Sequence, residues 1–435
     1  MLYFLIKLMA ITAIRTVFNK ISAENVDYIA KDTPIIFTAN HPNTMMDPMI
    51  IGYTCKRKLH FFAKSTLFNN LIAGWFLRRI QIVPVYRKVD DPSKMDQNKE
   101  TFSKGYEILK QNKAFLIFPE GISTGDRKLS QIKTGAARIG FGAEAENDWQ
   151  LGVQIIPVGL NYANAIKFRS DVSTRFGQPI QLTDFRDVYE QNEKEAVHLV
   201  TEQIETALSK LTINLKDLEM QEIVEALERI YKQELAVDLG LETENKADDF
   251  SVTKGLINAV EWYYENEPSK VNEFKGMLNL YQRLLNRLQI KDEFLDPASS
   301  RVTFWERIKA ILYIIIMFPI YLYGLINNVI PYKFPRWYAR HFVQHKAEVA
   351  PWKMLSGTII FLIYYPMEII IFASLTGSFI WTFIYALSLI PSGNFVLQYI
   401  NRVSDYRQHL RFISIFYKKR TLIYELIKQR TEIID

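Results

Sequence analysis

Between residues 31 and 180, short β-branched and aromatic runs alternate with stretches whose apolar positions recur every three or four residues. Residues 35–38, 59–62, 80–86, 114–118, 153–158 and 174–176 carry the strand-like runs. The connections at 98–111 and 134–144 carry helix formers at helical spacing. This alternation predicts an α/β domain, a central mixed sheet flanked by helices, with its chemistry on loops at strand ends. The pattern then changes twice. Residues 196–211, 218–235 and 256–288 have the spacing of amphipathic helices in acidic surroundings, and the charged stretch 241–250 reads as a linker. Farther on, residues 310–330 are apolar for about the length of a bilayer-spanning helix, with Pro319 inside. Residues 355–390 hold a single ionisable side chain, Glu368, and are too long for one span. Thr376-Gly377-Ser378 divides that run, which predicts a helical hairpin. Trp337, Tyr338, Trp352 and Tyr399 flank these stretches where interfacial aromatics belong.

The first fourteen residues are apolar but lack the basic leader and small-residue cleavage site of a secretion signal. They predict a short membrane-anchoring helix to about Lys20, with Lys7 and Arg15 near the head groups. Five segments follow: a membrane-associated helix (1–30), the α/β domain (31–182), an acidic helical region (183–300), membrane-embedded helices (301–395) and a basic tail (396–435).

Charge sharpens this division. The 435-residue chain carries +6 overall, but from residue 301 onward 16 Lys/Arg face 7 Asp/Glu, a balance of +9. Basic residues packed around apolar segments point to anionic membrane lipids as partner and away from nucleic acid. Five Lys/Arg lie between Pro331 and Lys353, read as a loop, and the tail after Arg402 is also basic. A hairpin between them places both on one face, expected to be cytoplasmic together with the α/β domain. Residues 310–330 are then expected to be re-entrant or interfacial, bent at Pro319. Cys55 is the sole cysteine, which excludes an intrachain disulfide and suits a reducing compartment. Six scattered histidines offer no metal-binding cluster.

Four short motifs end apolar runs in order: Asn40-His41-Pro42-Asn43-Thr44-Met45-Met46-Asp47-Pro48, Pro84-Val85-Tyr86-Arg87, Phe118-Pro119-Glu120-Gly121 and Ile155-Ile156-Pro157-Val158-Gly159. A neutral imidazole at a strand mouth can take a hydroxyl proton if a carboxylate fixes its tautomer, and Asp47 is the acid at hand. Taken alone, His41 and Asp47 would equally suit an ordinary loop, and Pro-Glu-Gly a solvent-facing turn. Arg87 can grip phosphate with two parallel hydrogen bonds. A Ser-x-x-Lys pattern at Ser251–Lys254 and the glycines around Gly140 lack the context that catalysis or nucleotide binding needs.

The ordered blocks resemble those of the glycerophosphate and lysophospholipid acyltransferase superfamily. The form Ile122-Ser123-Thr124-Gly125-Asp126-Arg127 with Lys133-Thr134-Gly135 is similar to the subgroup of fungal glycerol-3-phosphate and dihydroxyacetone-phosphate acyltransferases. The resemblance implies a glycerolipid acyltransferase-like fold, a catalytic His41–Asp47 pair, and acceptor binding by Arg87, Glu120 and Gly121, with Lys64, Arg127 and Lys133 as further contacts. It implies transfer of an acyl group from acyl-CoA or acyl carrier protein to glycerol-3-phosphate or 1-acylglycerol-3-phosphate, without cofactor or metal. One departure stands out. Five residues, where the family has four, separate His41 from Asp47, so Pro42 and Asn43 are expected to absorb the extra residue in the turn. A catalytically silent lipid-binding scaffold, or a transporter with a regulatory front domain, are the rival readings; acceptor identity and oligomeric state stay open.

Overall fold

The computed structural model describes residues 2–79, 82–87, 92–125, 127–165, 168–215, 218–242, 246–290, 292, 295, 304–418 and 420–434. In chain order the first elements are α1 (Leu2–Val17), β1 (Phe18–Glu24), β2 (Ile35–Ala39), α2 (Met46–Thr54), β3 (Leu59–Lys64), α3 (Leu71–Arg79), β4 (Ile82–Val85), α4 (Asn98–Lys110) and β5 (Ala114–Ile117). Then come α5 (Gly135–Ala145), β6 (Gln154–Tyr162), β7 (Ser170–Phe176), β8 (Ile180–Gln181), α6 (Arg186–Gln191) and α7 (Glu193–Leu211). The remainder is helical: α8 (Leu218–Ile230), α9 (Lys232–Asp238), α10 (Lys246–Asn266), α11 (Pro268–Leu288), α12 (Phe304–Phe342), α13 (Val349–Thr376), α14 (Phe379–Lys418) and α15 (Arg420–Ile434). Contacts divide the chain into two units, one of Met1–Leu215 with His341–Met354, the other of Lys216–Arg340 with Leu355–Asp435.

In the first unit, eight strands form one mixed sheet in the order β1-β7-β6-β2-β5-β3-β4, with β8 beside β6. Strands β6, β2, β5, β3 and β4 run parallel, so their carboxyl ends share one edge. β7 and β8 lie antiparallel to β6. β2 is buried on both faces, as expected of a central parallel strand covered by helices. Its alternating side chains feed two cores. Ile35, Phe37 and Ala39 pack with α1 and α2 residues such as Ile14 and Ile50, while Ile36 packs with Ile139, Phe141 and Val200 on the opposite side.

Several sequence expectations need correction. The first helix ends at Val17, not near Lys20, and residues 18–24 pair in parallel with β7 as a sheet strand. Arg15 donates to the Tyr53 hydroxyl at 3.2 and 3.1 Å, while the Lys7 side chain lies outside the described residues. The 80–86 run is a strand only at Ile82–Val85, with Ile80 and Gln81 outside the described residues. Helix α7, read as a solvated helix of the acidic region, buries Ala196, Val200, Ile204 and Leu208 in the α/β core. The linker reading at 241–250 is shortened because α10 begins at Lys246; residues 243–245 lie outside the described residues.

In the second unit, α12, α13 and α14 are each long and apolar enough to cross a membrane. The division at Gly377 matches the expected hairpin: α13 ends at Thr376, and Gly377 takes a left-handed φ of 62° before α14. The bend at Pro319 is a different matter. α12 continues through Pro319, Pro331 and Pro335 to Phe342 and α13 starts at Val349, so most of the stretch read as a basic loop is helix. Close packing joins the helices: a Cβ on Gly324 would meet the Ser392 carbonyl oxygen at 2.6 Å. Across the interfaces, Tyr365 donates to Asn328 at 2.6 Å and Tyr385 to Asn327 at 2.7 Å.

Candidate active site

The shared carboxyl edge of the parallel strands is where an open α/β sheet leaves room for a ligand, and the first three motifs gather there because each runs off the end of β2, β4 or β5, while the fourth lies within β6. After β2, Asn40 fixes the exit of the chain. Its side-chain amide donates to the Leu160 carbonyl at 3.0 Å and accepts from the Leu160 N–H at 2.7 Å, tying the loop to β6. His41 follows. The turn through Pro42, Asn43 and Thr44 closes with the Met46 N–H donating to the Asn43 carbonyl at 2.8 Å, and α2 starts there. The turn is complete before the helix begins, and within it Thr44 takes a φ of +32°.

Asp47 thereby sits in the first turn of α2, fully buried. Its Oδ2 receives His41 Nδ1 at 2.8 Å and the Asn43 N–H at 2.8 Å, while Oδ1 receives the Tyr162 hydroxyl at 2.5 Å. Three donors and a helix N-terminus converge on this side chain. A carboxylate can only accept, so the proton of a neutral His41 belongs on Nδ1, leaving the Nε2 lone pair for chemistry. The imidazole lies flat on Phe118, centroids 3.9 Å apart and planes 12° apart, with 18% of the side chain exposed. The ring is thus held in plane and orientation while one edge stays open. Burial and the neighbouring Asp47 push the Tyr162 phenol well above its ordinary value, so it remains a donor.

Glu120 is not the solvent-facing turn residue that bare sequence suggests. It is 5% exposed; Oε1 accepts the His41 backbone N–H at 2.8 Å and Oε2 the Ser130 N–H at 2.9 Å. Burial raises its carboxyl above the usual 4.5, and the amide bonds oppose that rise. Glu120 therefore holds the backbone of the residue that carries the base. Gly121 takes a φ of +71°, where a side chain would be strained, and a Cβ there would meet Lys133 Nζ at 2.5 Å. Its carbonyl accepts from Arg87 Nη1 at 2.6 Å. Arg87, Gly121 and Lys133 are thus together, one residue along from Glu120.

Lys64 ends β3, exposed and in register with Val85, on the strand-end row that leads to Arg87. Arg127 is committed elsewhere: its Nη2 donates to the Ala163 carbonyl at 3.0 Å and reaches that of Tyr162 at 3.4 Å. It braces the end of β6 against the loop after Glu120; Asp126 lies outside the described residues. Pro157 pairs with Thr38 within the sheet, as an architectural residue should.

Several participants escaped the sequence reading. Tyr162 ends β6, three residues beyond the fourth motif, but only the adjacency of β6 and β2 reveals that it reaches Asp47. Asn98, the first residue of α4, pins the backbone before Arg87 by accepting the Tyr86 N–H at 3.0 Å and donating to the Tyr86 carbonyl at 2.7 Å. An asparagine opening a helix was the available signal.

Comparison with known proteins agrees with this arrangement. The family model described as Acyltransferase matches residues 20–161, which bracket all four blocks. Glycerol-3-phosphate O-acyltransferase 1 of Saccharomyces cerevisiae is 24% identical over 283 residues, 61% of this chain and 36% of that protein. Glycerol-3-phosphate O-acyltransferase 2 of the same yeast is 32% identical over 136 residues, 31% of this chain and 18% of that protein. The 1-acyl-sn-glycerol-3-phosphate acyltransferase of Streptococcus pneumoniae is 28% identical over 192 residues, 43% of this chain and 64% of that protein. The chain spans about a third of the first yeast relative's length and less of the second's. The crystal structure of PlsC from Thermotoga maritima overlaps 48% of this chain and 79% of its own, at 21% identity and a TM-score of 0.34, too loose a likeness to argue from.

Proposed function

We propose that the acyltransferase domain at residues 20–161 moves a fatty acyl group from a thioester, acyl-CoA or acyl carrier protein, to the hydroxyl of glycerol-3-phosphate or 1-acylglycerol-3-phosphate. The observation that carries this reading is the 2.8 Å bond between His41 Nδ1 and a buried Asp47 that accepts two further donors. A silent scaffold would have no need to keep that pair together. His41 Nε2 takes the acceptor hydroxyl proton as its oxygen attacks the thioester carbonyl. The tetrahedral intermediate then expels the thiolate, which takes the proton back from the imidazolium, so no covalent enzyme intermediate forms. Arg87 and Lys133 supply positive charge beside Gly121 for the acceptor phosphate, with Lys64 on the neighbouring strand end.

Membrane lipids are the natural partner of α12–α14, and we place the α/β unit on the cytoplasmic face. Contacts of the last helix support an even number of crossings. Arg430 on α15 bonds Asp292 at 3.4 Å, Glu234 at 2.9 Å and the Ile230 carbonyl at 3.0 Å, all residues that precede α12. Three full crossings would part these groups across the bilayer, so one of the three apolar helices does not traverse it. Reporter cysteines near Glu120 and Arg340 should resist labelling from outside intact cells; modification of either overturns the orientation.

Acyl transfer is tested with radiolabelled acyl thioester and a panel of phosphorylated acceptors on membranes containing the full chain. His41→Ala should lower turnover by roughly two to four decades. Wild-type turnover in that variant ends the proposal.

A further inference from the structure

Resting on the acyl-transfer reading, we propose that Thr44 and Ser123 are positioning residues for the His41–Asp47 pair, anchored from outside the motifs by Ala347 in the connection between α12 and α13. The observation is a conflict resolved locally. Thr44 lies in the turn between histidine and aspartate, and at φ +32° it occupies a region that β-branched side chains avoid. A strained residue persists where its surroundings over-determine it. Here its N–H donates to Ser123 Oγ at 3.1 Å, and its own hydroxyl donates to the Ala347 carbonyl at 3.2 Å.

Both anchors are fixed in turn. Ser123 sits in the loop that Glu120 and Gly121 begin. Ala347 is 4% exposed, and its backbone nitrogen lies 3.0 Å from where a Cβ on Gly125 would be. Three residues on, Ala350 joins the same core as Met46, Ile50 and Ile51 of α2, as does Met354. The connection His341–Met354 thus belongs to the α/β unit, although apolar helices flank it on both sides. Asn43, next to Thr44, donates its N–H to Asp47 Oδ2 and its side-chain amide to the Ala165 carbonyl at 3.0 Å. Freeing Thr44 from its anchors lets this turn relax toward an unstrained φ, which draws Asn43 and Asp47 away from the imidazole.

The test compares wild type, His41→Ala, Thr44→Val, Thr44→Ser and Ser123→Ala as full-length proteins in membranes. Thr44→Val keeps shape and branching but loses the hydroxyl; Thr44→Ser keeps the hydroxyl. Thr44→Val and Ser123→Ala should each lower kcat about five- to tenfold, the worth of one hydrogen bond, with acceptor KM within about twofold. Thr44→Ser should stay within about twofold of wild type. A second readout needs no turnover: the pH dependence of His41 carbethoxylation, followed by mass spectrometry. Its midpoint should fall in Thr44→Val, because a looser Asp47 stabilises the imidazolium less. The proposal is overturned if Thr44→Val keeps both the wild-type kcat and the wild-type midpoint while His41→Ala is inactive. A wild type without His41-dependent transfer would instead overturn the acyl-transfer reading, and the carbethoxylation midpoint would still decide the positioning role.

Discussion

Two carboxylates, Asp47 buried in the α/β unit and Asp292 half-buried in the helical unit, make an instructive comparison. Each accepts a tyrosine hydroxyl and a nitrogen base: Tyr162 and His41 in the first case, Tyr281 and Arg430 in the second. For Asp292, burial pushes the carboxyl up, and a guanidinium that never deprotonates holds it. That guanidinium keeps its charge, and Arg430 spends its other nitrogens on Glu234 and the Ile230 carbonyl. His41 has one nitrogen bonded and an open edge. The same acid is a clasp where its partner is permanently charged and saturated and, on the proposed reading, part of a proton-transfer device where its partner can gain and lose a proton. Burial and hydrogen bonding alone would not have told them apart.

Asp47→Asn should break the comparison most severely. An amide in place of the carboxylate turns a donor toward one of its three donors and no longer enforces the Nδ1–H tautomer, so kcat should fall by about two to four decades. Acyl transfer on membranes measures this, and a loss below tenfold would reduce Asp47 to the role of Asp292. Arg430→Ala is the converse. It leaves the half-buried Asp292 without its guanidinium and should destabilise the helical unit by about 2 kcal/mol, read as a lowered unfolding midpoint of the detergent-solubilised protein. Acyl-transfer kcat below the midpoint should be unchanged; a parallel loss of catalysis would mean that α15 does more than clasp.

A smaller effect separates the two tyrosines. Tyr162→Phe removes one of three donors to Asp47, worth about 1.5 kcal/mol for a bond to a charged group, and should lower kcat roughly tenfold with acceptor KM unchanged. Tyr281→Phe should leave kcat alone. Equal catalytic losses in both would erase the distinction between the carboxylates.

The legibility of the two units differs for the same physical reason. Strand periodicity and strand-end loops announced six strands of the sheet and placed His41, Asp47, Arg87, Glu120 and Gly121 at one edge, since a parallel sheet gathers its loops in chain-independent fashion. Two strands were missed. β1 follows an apolar helix without a turn signal, so Phe18 read as more helix, and β8 is only two residues long. Long-range pairings stayed hidden as well: Tyr162 to Asp47, and Thr44 to Ala347 across 303 positions, depend on which elements become neighbours. In the helical unit, apolar length and Gly377 were readable, whereas the continuation of α12 through Pro319, Pro331 and Pro335 was not. A long apolar helix packed against neighbours can continue through proline where an isolated one would break.

Glu120 stands between the two classes, and its pH behaviour shows to which it belongs. Its carboxyl is raised by burial above 4.5, so between 4.5 and the raised value the folded state binds more protons than the unfolded one. Stability from this group is therefore greatest below pH 4.5, declines as pH rises through that window, and stays at its lower level above it. Glu120→Gln removes the titration but faces an amide NH2 toward the Ser130 or His41 N–H, a mismatch costing about 1–3 kcal/mol. The unfolding midpoint of the variant should lie below wild type throughout, and the gap should narrow as pH rises from 4.5. A gap that widens instead would mean that the ionised carboxylate is the stabilised form, a clasp of the Asp292 kind satisfied by its two amides. A narrowing gap with kcat reduced several-fold assigns Glu120 to the catalytic edge, as the residue that keeps the His41 backbone in place while burial works against its own charge.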